Sequence, residues 1–410
     1  MSAPGHPPSP YFQVEDDELV VGGIGLRALA QRVGRTPFFV YDRKVLDARV
    51  AELRRAIPPA IKVHYAIKAN PLPAVVEHMA AQVDGLDVAS AGELELALAT
   101  GTPALDISFA GPGKSVDELA RAVEAGILIN VESFRELRVL DAIAKATHGR
   151  PRVAVRVNPD FELKSSGMKM SGGPKQFGID AEQVPQALSE IAARGLGFEG
   201  FHIFSGSQNL RHEAICEAYA KAYELAVALA QHAPAPPLRL NLGGGLGIPY
   251  FPGERPLELA PVADTLAEIA QRAAATLPRT ELMIELGRYL VGEAGLYVCK
   301  VLDRKISRGQ VFLVTDGGLH HHLAASGNFG QVIRKNYPVA IGNRMRGERR
   351  EIASVVGRLC TPLDLLADRM DLARAEEGDL VVIFQSGAYG RSASPAAFLS
   401  HPPAEEILVG

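Results

Sequence analysis

The stretch Val63-His64-Tyr65-Ala66-Ile67-Lys68-Ala69-Asn70-Pro71 decides the fold of this chain. Every second residue from Ile61 to Ile67 is apolar or aromatic, which is the two-residue period of a strand. Asn70-Pro71 ends that strand, because proline lacks an amide donor and restricts the residue before it. Lys68 therefore lies at the carboxyl end of a strand. A lysine in such a place is usually a solvated surface residue, so the rest of the chain must show whether this one differs.

The composition is that of a globular protein with more than one domain. Its 410 residues exceed the usual size of a single hydrophobic core. A formal net charge of -4 without a basic stripe argues against nucleic-acid binding. We expect neither a signal peptide nor a membrane span, since no apolar run approaches the ~18 residues that a span needs. Three scattered cysteines do not form a disulfide framework, and we therefore expect a cytoplasmic protein.

A regular alternation of strands and helices follows the opening stretch. Three of the predicted helices begin with a serine three residues before a glutamate, at Ser90, Ser115 and Ser133, which is the pattern of a capping box. Eight strands alternating with helices over roughly 230 residues predict a (β/α)8 barrel. The predicted strands are Ile61–Ile67, Leu86–Ala89, Ile107–Ala110, Ile127–Val131, Val153–Val157, Phe198–Phe204, Leu238–Leu242 and Leu282–Leu286.

The pattern changes after about residue 290. Short β-prone runs separated by Gly, Asn and Asp, with little helix between them, predict a C-terminal antiparallel β domain. We assign residues 1–35 to an N-terminal tail and a strand of the β domain. Residues 36–288 are assigned to the barrel and residues 289–410 to the β domain.

The carboxyl ends of the predicted barrel strands carry chemically useful residues. Barrel enzymes place their catalytic groups at these ends. In this sequence nearly every such position is polar, charged or glycine, and all of them converge on one rim. That convergence sets Lys68 apart from an ordinary surface lysine. The rim residues are Lys68, Asp87, Ser90, Arg156, Asn158, His202, Ser205–Gln208, Asn241–Gly247, Glu285 and Arg288.

The glycine run Gly243–Gly247 follows the seventh strand, where barrels commonly bind phosphate. Consecutive glycines let amides converge on an anion, although a tight turn between strand and helix is the simpler alternative. A lysine, a phosphate cradle and an acid on one rim suggest pyridoxal phosphate. Lys68 would form a Schiff base with it. Glu285 would face its pyridine nitrogen, or else form an ordinary salt bridge with Arg288.

Several motifs in one order carry a resemblance to a known family. They are His64–Pro71, Asp87–Leu94, Gly243-Gly244-Gly245, Glu285–Arg288, Asp316-Gly317-Gly318, Cys360 and Gly387–Gly390. Over roughly residues 36 to 409 the chain resembles the fold-type III pyridoxal phosphate decarboxylases, the group of diaminopimelate, ornithine and arginine decarboxylases. The resemblance implies an alanine-racemase-like barrel, a C-terminal β domain, and a homodimer with active sites at the subunit interface.

The resemblance also implies roles for individual residues. Lys68 matches the cofactor lysine, and Cys360 matches a cysteine that crosses from the partner subunit and donates a proton. From the residues alone, Cys360 would be a buried core cysteine. The predicted cofactor-binding residues are Lys68, Asp87, Arg156, His202, Phe204, Ser207, Gly243, Gly244, Gly245, Glu285, Arg288 and Tyr389. The predicted substrate-binding residues are Arg288, Thr361, Asp364 and Tyr389.

The sequence departs from the family at the cofactor face. Phe204 stands where the family has a stacking histidine; a phenyl ring can stack but cannot donate a proton. His202 lies two residues earlier and points to the same face of the strand. Two interpretations of His202 remain open: participation in the site, or a hydrogen-bonded structural histidine.

The substrate-binding half departs further. Thr361 follows Cys360 where relatives have an acid, and Asp364 is the nearest candidate to replace it. After Gly318 the family's arginine for a distal carboxylate is missing, and His320-His321-His322 stands there instead. An unpartnered buried carboxylate would cost several kcal/mol. The triple histidine is not predicted to bind metal, because consecutive side chains diverge.

These losses favour a substrate without a free distal charge. The pattern is similar to decarboxylases associated with exosortase clusters and to glutamyl-carrier decarboxylases, whose substrate's side-chain carboxyl is tied to an acyl carrier protein. The small residues from Ala324 to Gly327 would leave room for a pantetheine arm. The alternatives are a diaminopimelate decarboxylase acting on the free amino acid, a racemase on the same barrel, and a non-catalytic regulatory relative.

Overall fold

The computed structural model describes residue 6 and residues 9–161, 168–169, 172–331, 333–347 and 349–410. It divides the chain into two compact units. The first, the barrel, comprises Val50–Ile248 and Pro256–Gly287. The second, the β domain, comprises the chain up to Arg49, Pro249–Arg255 and Arg288–Gly410. No helix in the described part of the chain is long and apolar enough to cross a bilayer.

The barrel contains eight parallel strands in a closed sheet. The first strand, Ile61–Ala66, pairs with the second and the eighth, and the fourth pairs with the fifth to complete the circle. All eight predicted strands are confirmed. They are Ile61–Ala66, Gly85–Val88, Ile107–Phe109, Leu128–Val131, Arg152–Asn158, Gly197–Ile203, Arg239–Asn241 and Glu281–Leu286. A short strand, Ile179–Asp180, adds to the fifth.

The helices of the barrel begin where the serine pattern predicts. Ser90, Ser115 and Ser133 each accept a hydrogen bond from the amide three residues on. A complete capping box forms at Ser115, because Glu118 also accepts from the Ser115 amide (2.9 Å). The barrel unit's helices are Pro73–Ala80, Ala91–Ala99, Val116–Ala125, Phe134–Thr147, Val184–Ala193, His212–Ala230 and Leu259–Thr276. The helix Arg43–Ala56 spans the division between the two units.

The predicted C-terminal β domain is confirmed, and its sheet is mixed. Most strand pairs are antiparallel, but Gln310–Thr315 runs parallel to Arg350–Val356, and Phe38–Asp42 runs parallel to Glu405–Val409. The strands are Phe38–Asp42, Gly295–Ser307, Gln310–Thr315, Val339–Ile341, Arg350–Val356, Leu365–Ala373, Leu380–Ile383 and Glu405–Val409. The helices of this domain are Leu26–Val33 and Arg288–Val291.

The N-terminal boundary of the barrel also differs from the expected residue 36. Phe38–Asp42 hydrogen-bonds to Gly295–Ser307 on one side and to Glu405–Val409 on the other. Phe38 and Val40 pack in the core of the β domain with Leu296, Val298 and the helix Leu26–Val33. In the N-terminal tail, Gln13–Glu15 pairs with Glu18–Val21.

Candidate active site

Lys68 lies just beyond the first barrel strand, in the short turn Ile67–Ala69. Its flanking residues are buried while Lys68 itself is exposed. The Asn70 amide donates to the Ile67 carbonyl (3.0 Å), and the Tyr65 hydroxyl donates to the Asn70 carbonyl (2.8 Å). These bonds fix the turn that carries the lysine. The amine is thereby held at the rim, as the sequence predicts.

Glu285 is a buried carboxylate near the end of the eighth strand, 6% exposed. Asn241 Nδ2 donates to Glu285 Oε2 (3.1 Å), and His202 Nε2 lies 3.1 Å from the same oxygen. Burial alone would raise the pKa of Glu285, but the neighbouring His202, Lys68 and Arg156 outweigh burial and hold the pKa well below its usual range. Glu285 is therefore a charged carboxylate at neutral pH.

His202 and Phe204 lie at the end of the sixth strand and face different residues of the rim. His202 is 1% exposed, its Nε2 lies 3.1 Å from Glu285 Oε2, and its Nδ1 makes no hydrogen bond within the described chain. A contact with Glu285 fits both interpretations of His202, so both stay open. Phe204 is half-buried, with its ring centre 5.9 Å from Lys68 Nζ. The histidine thus faces the acid, and the phenyl ring lies near the lysine.

The glycine run brings three strands close together. A Cβ on Gly244 would lie 2.1 Å from the Glu285 carbonyl oxygen, and one on Gly243 would lie 2.7 Å from the Ile203 carbonyl oxygen. The Asn241 side chain accepts from the Gly243 amide (2.8 Å). Among the described residues, the amides of Gly244 and Gly245 have no acceptor. Two amides are therefore available for an anion at the end of the seventh strand.

Asp87 and Arg156 have partners inside the barrel. The Asp87 carboxylate accepts from Ser108 Oγ (2.5 Å) and lies 3.2 Å from His64 Nδ1. Burial lowers the pKa of His64, but the charge and hydrogen bond of Asp87, together with the charge of Asp106, outweigh burial and raise it. Arg156 donates to Glu132 (2.8 Å). Both residues hold neighbouring strands together, and their predicted contact with the cofactor stays a prediction. So does that of Ser207, which is half-buried and pairs with Met168–Lys169.

In the β domain, Arg288 lies among aromatic rings. Its NH1 donates to the Tyr250 hydroxyl (3.1 Å), and its guanidinium carbon lies 4.7 Å from the ring centre of Tyr389. Tyr389 takes the left-handed backbone conformation, with φ of 52°. Arg288 Nε is buried without a hydrogen-bond partner in the described chain. The predicted neighbours Arg288 and Tyr389 are therefore brought together, while Tyr250 was missed because no motif marks it.

Cys360 is exposed, so the interpretation of a buried core cysteine is wrong. Asp364 holds the loop that presents it. The buried Asp364 carboxylate accepts from the amides of Leu319 (2.7 Å) and Leu359 (2.9 Å). With both oxygens engaged and 3% exposure, Asp364 has a structural role, contrary to the expectation that it binds substrate. Thr361 is half-buried and accepts from the Leu363 amide (3.3 Å).

The segment after Gly318 is packed into the β domain. His322 Nε2 lies 2.8 Å from Ser386 Oγ, and His321 Nε2 lies 2.8 Å from the Pro402 carbonyl oxygen. Burial lowers the pKa of His320 and of His322 to about 3. The residues Ala324, Ala325 and Ser326 are buried as well, so the expected room for a pantetheine arm is absent there.

The barrel rim fits pyridoxal 5′-phosphate on its own chemistry. It offers an exposed amine, a charged carboxylate held by an amide and an imidazole, and two amides without acceptors. The comparison with protein families agrees. Residues 43–292 match the pyridoxal-binding domain of the pyridoxal-dependent decarboxylases. The chain belongs to this family. It is a pyridoxal-phosphate-dependent amino-acid decarboxylase of fold-type III.

Individual relatives cover nearly the whole chain. It is 40% identical to the L-glutamyl-[BtrI acyl-carrier protein] decarboxylase of Niallia circulans, over 93% of this chain and 90% of that protein. It is 33% identical to the diaminopimelate decarboxylase of Aquifex aeolicus, over 98% and 93%. The crystal structure of diaminopimelate decarboxylase from M. jannaschii with L-lysine superposes with a TM-score of 0.87 at 26% identity, covering 98% and 93%.

Replacing Lys68 tests the assignment of the cofactor lysine. We expect Lys68→Ala to lose the visible absorption of bound pyridoxal phosphate, because the alanine has no amine to hold the aldehyde. Lys62→Ala is the matched control, since Lys62 lies on the same strand and pairs with Asp84 at the surface (3.6 Å). The assignment is wrong if both variants keep the absorption band.

The lowered pKa of Glu285 predicts a pH dependence. A carboxyl whose pKa is lower in the folded state stabilises the fold above its ordinary pKa, and this contribution is lost as the pH falls through the lowered value. The difference in urea midpoint between wild type and Glu285→Gln should therefore shrink between about pH 7 and about pH 3. Glu268→Gln, at an exposed helix position, is the control. A Glu285→Gln difference that is independent of pH would contradict the lowered pKa.

Proposed function

We propose that this decarboxylase acts on an amino acid whose side-chain carboxyl is held as a thioester on an acyl carrier protein. The observation that carries the proposal is the absence of Asp, Glu, Lys and Arg from the segment between Gly318 and Phe329. Where the family has an arginine, this chain has histidines whose pKa values are lowered by burial, to about 3 for His320 and His322. Neutral, buried imidazoles do not neutralise a free distal carboxylate.

The loop after Cys360 supports the same conclusion for a distal amine. Asp364, the nearest acid, has both oxygens engaged by backbone amides. Thr361 is uncharged, and the neighbouring Leu363 is exposed. A distal ammonium therefore has no carboxylate partner in this loop. The substrate that fits both observations ends in a neutral group, which a thioester provides.

The relatives favour this substrate without deciding it. The Niallia circulans relative is named for a glutamyl group on a carrier protein, and its identity of 40% exceeds the 33% of the Aquifex aeolicus diaminopimelate decarboxylase. Free diaminopimelate stays the second candidate because that relative spans 98% of the chain.

Residues of the barrel would bind the cofactor and set its charge state for the reaction. Lys68 would hold pyridoxal phosphate, the Gly244 and Gly245 amides would bind its phosphate, and Glu285 would keep its ring nitrogen protonated. When bound, the cofactor supplies an electron sink that permits loss of carbon dioxide from the α-carbon. The low pKa of Glu285 keeps this carboxylate charged throughout the neutral range.

We also propose that Cys360 donates the proton that replaces the lost carboxylate, and that it does so across a homodimer. The thiol is exposed, and the loop that carries it is held by a hydrogen bond from the Leu359 amide to the Asp364 carboxylate. A partner subunit would cover it and remove it from solvent. A positioned general acid of this kind contributes about 10²- to 10⁴-fold to a rate.

Carbon dioxide release decides the substrate. We expect the wild-type enzyme to release carbon dioxide faster from glutamyl-acyl carrier protein than from free diaminopimelate or free glutamate, because the segment after Gly318 has no charged residue and the only acid after Cys360 in its loop, Asp364, is engaged by backbone amides. The measurement is labelled carbon dioxide trapped at equal concentrations of each substrate. Clearly faster turnover of free diaminopimelate would overturn the proposal.

Mixing two inactive variants tests the shared site. Lys68→Ala and Cys360→Ala should each be nearly inactive as homodimers. If each site takes its lysine and its cysteine from different subunits, a refolded equimolar mixture should regain about a quarter of the wild-type activity, from the mixed dimers. Cys216→Ala, at a half-buried position in the barrel, is the control and should keep full activity. A mixture as inactive as its components would exclude the shared site.

A further inference from the structure

A surface cavity of about 310 Å³ lies within the β domain, and none of its lining residues has an assigned role. Two cations face one carboxylate across it. Its lining residues are Pro252, Arg334, Lys335, Asn336 and Asp368. In the described part of the chain, neither Arg334 nor Lys335 forms an ion pair with a carboxylate, so their charges remain available to a ligand.

Arg334 is built into the wall of this cavity. Its NH2 donates to the Leu365 carbonyl, while Nε is buried without a hydrogen-bond partner among the described residues. Gly327 packs against its stem, where an added Cβ would lie 3.2 Å from Arg334 Cγ. Burial lowers the pKa of Arg334, although the nearby charge of Asp368 acts in the opposite direction. A guanidinium that is held in place and forms no ion pair with a carboxylate is suited to an anion.

Lys335 and Asp368 complete the charge balance. Lys335 is exposed, and its Nζ lies 5.5 Å from the ring centre of Phe251. The Asp368 carboxylate acts on Arg334 through its charge, and it also accepts from Ser354 Oγ (3.3 Å) and lies 3.5 Å from Arg369 Nε. Two cations against one engaged carboxylate leave the cavity with an excess of positive charge.

The cavity wall continues into the aromatic cluster around Arg288. The Asn336 side chain donates to the Asp368 carbonyl (2.7 Å) and accepts from the Asp368 amide (2.9 Å), which makes the wall rigid. Tyr337 follows directly and packs on Tyr250, with 4.6 Å between ring centres. Tyr250 in turn accepts from Arg288. The cavity and the Arg288 cluster therefore belong to one packed region of the β domain.

We propose that this cavity binds the phosphodiester of the pantetheine arm that presents the substrate. A phosphodiester carries one negative charge and several acceptor oxygens, which matches one available guanidinium and one available ammonium. This inference rests on the proposed carrier-bound substrate. It also places the arm's anion away from Ala324–Ser326, which are buried.

The test separates the phosphate from the rest of the substrate. Steady-state kinetics are measured with glutamyl-acyl carrier protein and with glutamyl-pantetheine, which carries the thioester but no phosphate. For the double variant Arg334→Gln/Lys335→Gln we expect KM for the carrier substrate to rise at least about tenfold at unchanged kcat, since two charge-assisted contacts are lost. KM for glutamyl-pantetheine should stay at the wild-type value.

Two controls address charge and folding. Lys305→Gln/Arg374→Gln also removes two positive charges, at exposed positions of the β domain outside the cavity, and should leave both KM values unchanged. Lys335→Gln alone changes an exposed side chain and should keep part of the KM effect even if the Arg334 substitution disturbs folding. Unchanged KM for the carrier substrate in the double variant, or an equal rise for both substrates, overturns the inference.

Direct binding distinguishes failure of this inference from failure of the proposed function. If wild type does not decarboxylate the carrier substrate, titration calorimetry with pantetheine 4′-phosphate and pantetheine still tests the cavity. Binding that requires the phosphate and disappears in the double variant supports the site, and absence of binding overturns it. If carrier protein lacking the arm binds wild type and loses binding to the double variant, the cavity recognises acidic side chains of the carrier, and the inference is overturned.

Discussion

The buried charge of Glu285 is the constraint on which the barrel rim depends. A carboxylate removed from water costs several kcal/mol unless polar partners compensate it. Its partners come from the two preceding strands, His202 from the sixth and Asn241 from the seventh. Those strands approach closely because Gly243 and Gly244 have no Cβ. The same close approach leaves glycine amides free at the rim. The close packing of these strands therefore accounts for both the buried acid and the proposed anion site.

The barrel could be predicted from the sequence because its signals are local. Two-residue periodicity marks each strand, and a serine three residues before a glutamate marks helix starts such as that of Val116–Ala125. In the β domain, local sequence signals predict the strands but not which strands pair. Its apolar runs predict strands, but the parallel pairing of Phe38–Asp42 with Glu405–Val409 joins residues more than 360 positions apart along the chain. No local pattern encodes that partner.

Residue types at the rim could likewise be predicted, but the partners of each side chain could not. Lys68 and Glu285 lie where the strand ends require. Asp364 has the right chemistry for a substrate group, yet its carboxylate is engaged by two backbone amides that only the folded loop brings to it. Tyr250 was missed for the converse reason. It lies in a loop without a motif, and its role follows from contacts with Arg288 and Tyr337.

The interleaved connectivity has a consequence for synthesis on the ribosome. In the sheet, Phe38–Asp42 lies between Gly295–Ser307 and Glu405–Val409. In the sequence, the barrel unit lies between Phe38–Asp42 and Gly295–Ser307. Domains fold as units while the chain emerges from its N-terminus. The barrel is therefore complete in sequence while the β-domain sheet still lacks its last strand. Phe38–Asp42 therefore stays partly unpaired until Glu405–Val409 leaves the exit tunnel, so removal of Glu405–Val409 should harm the β domain first.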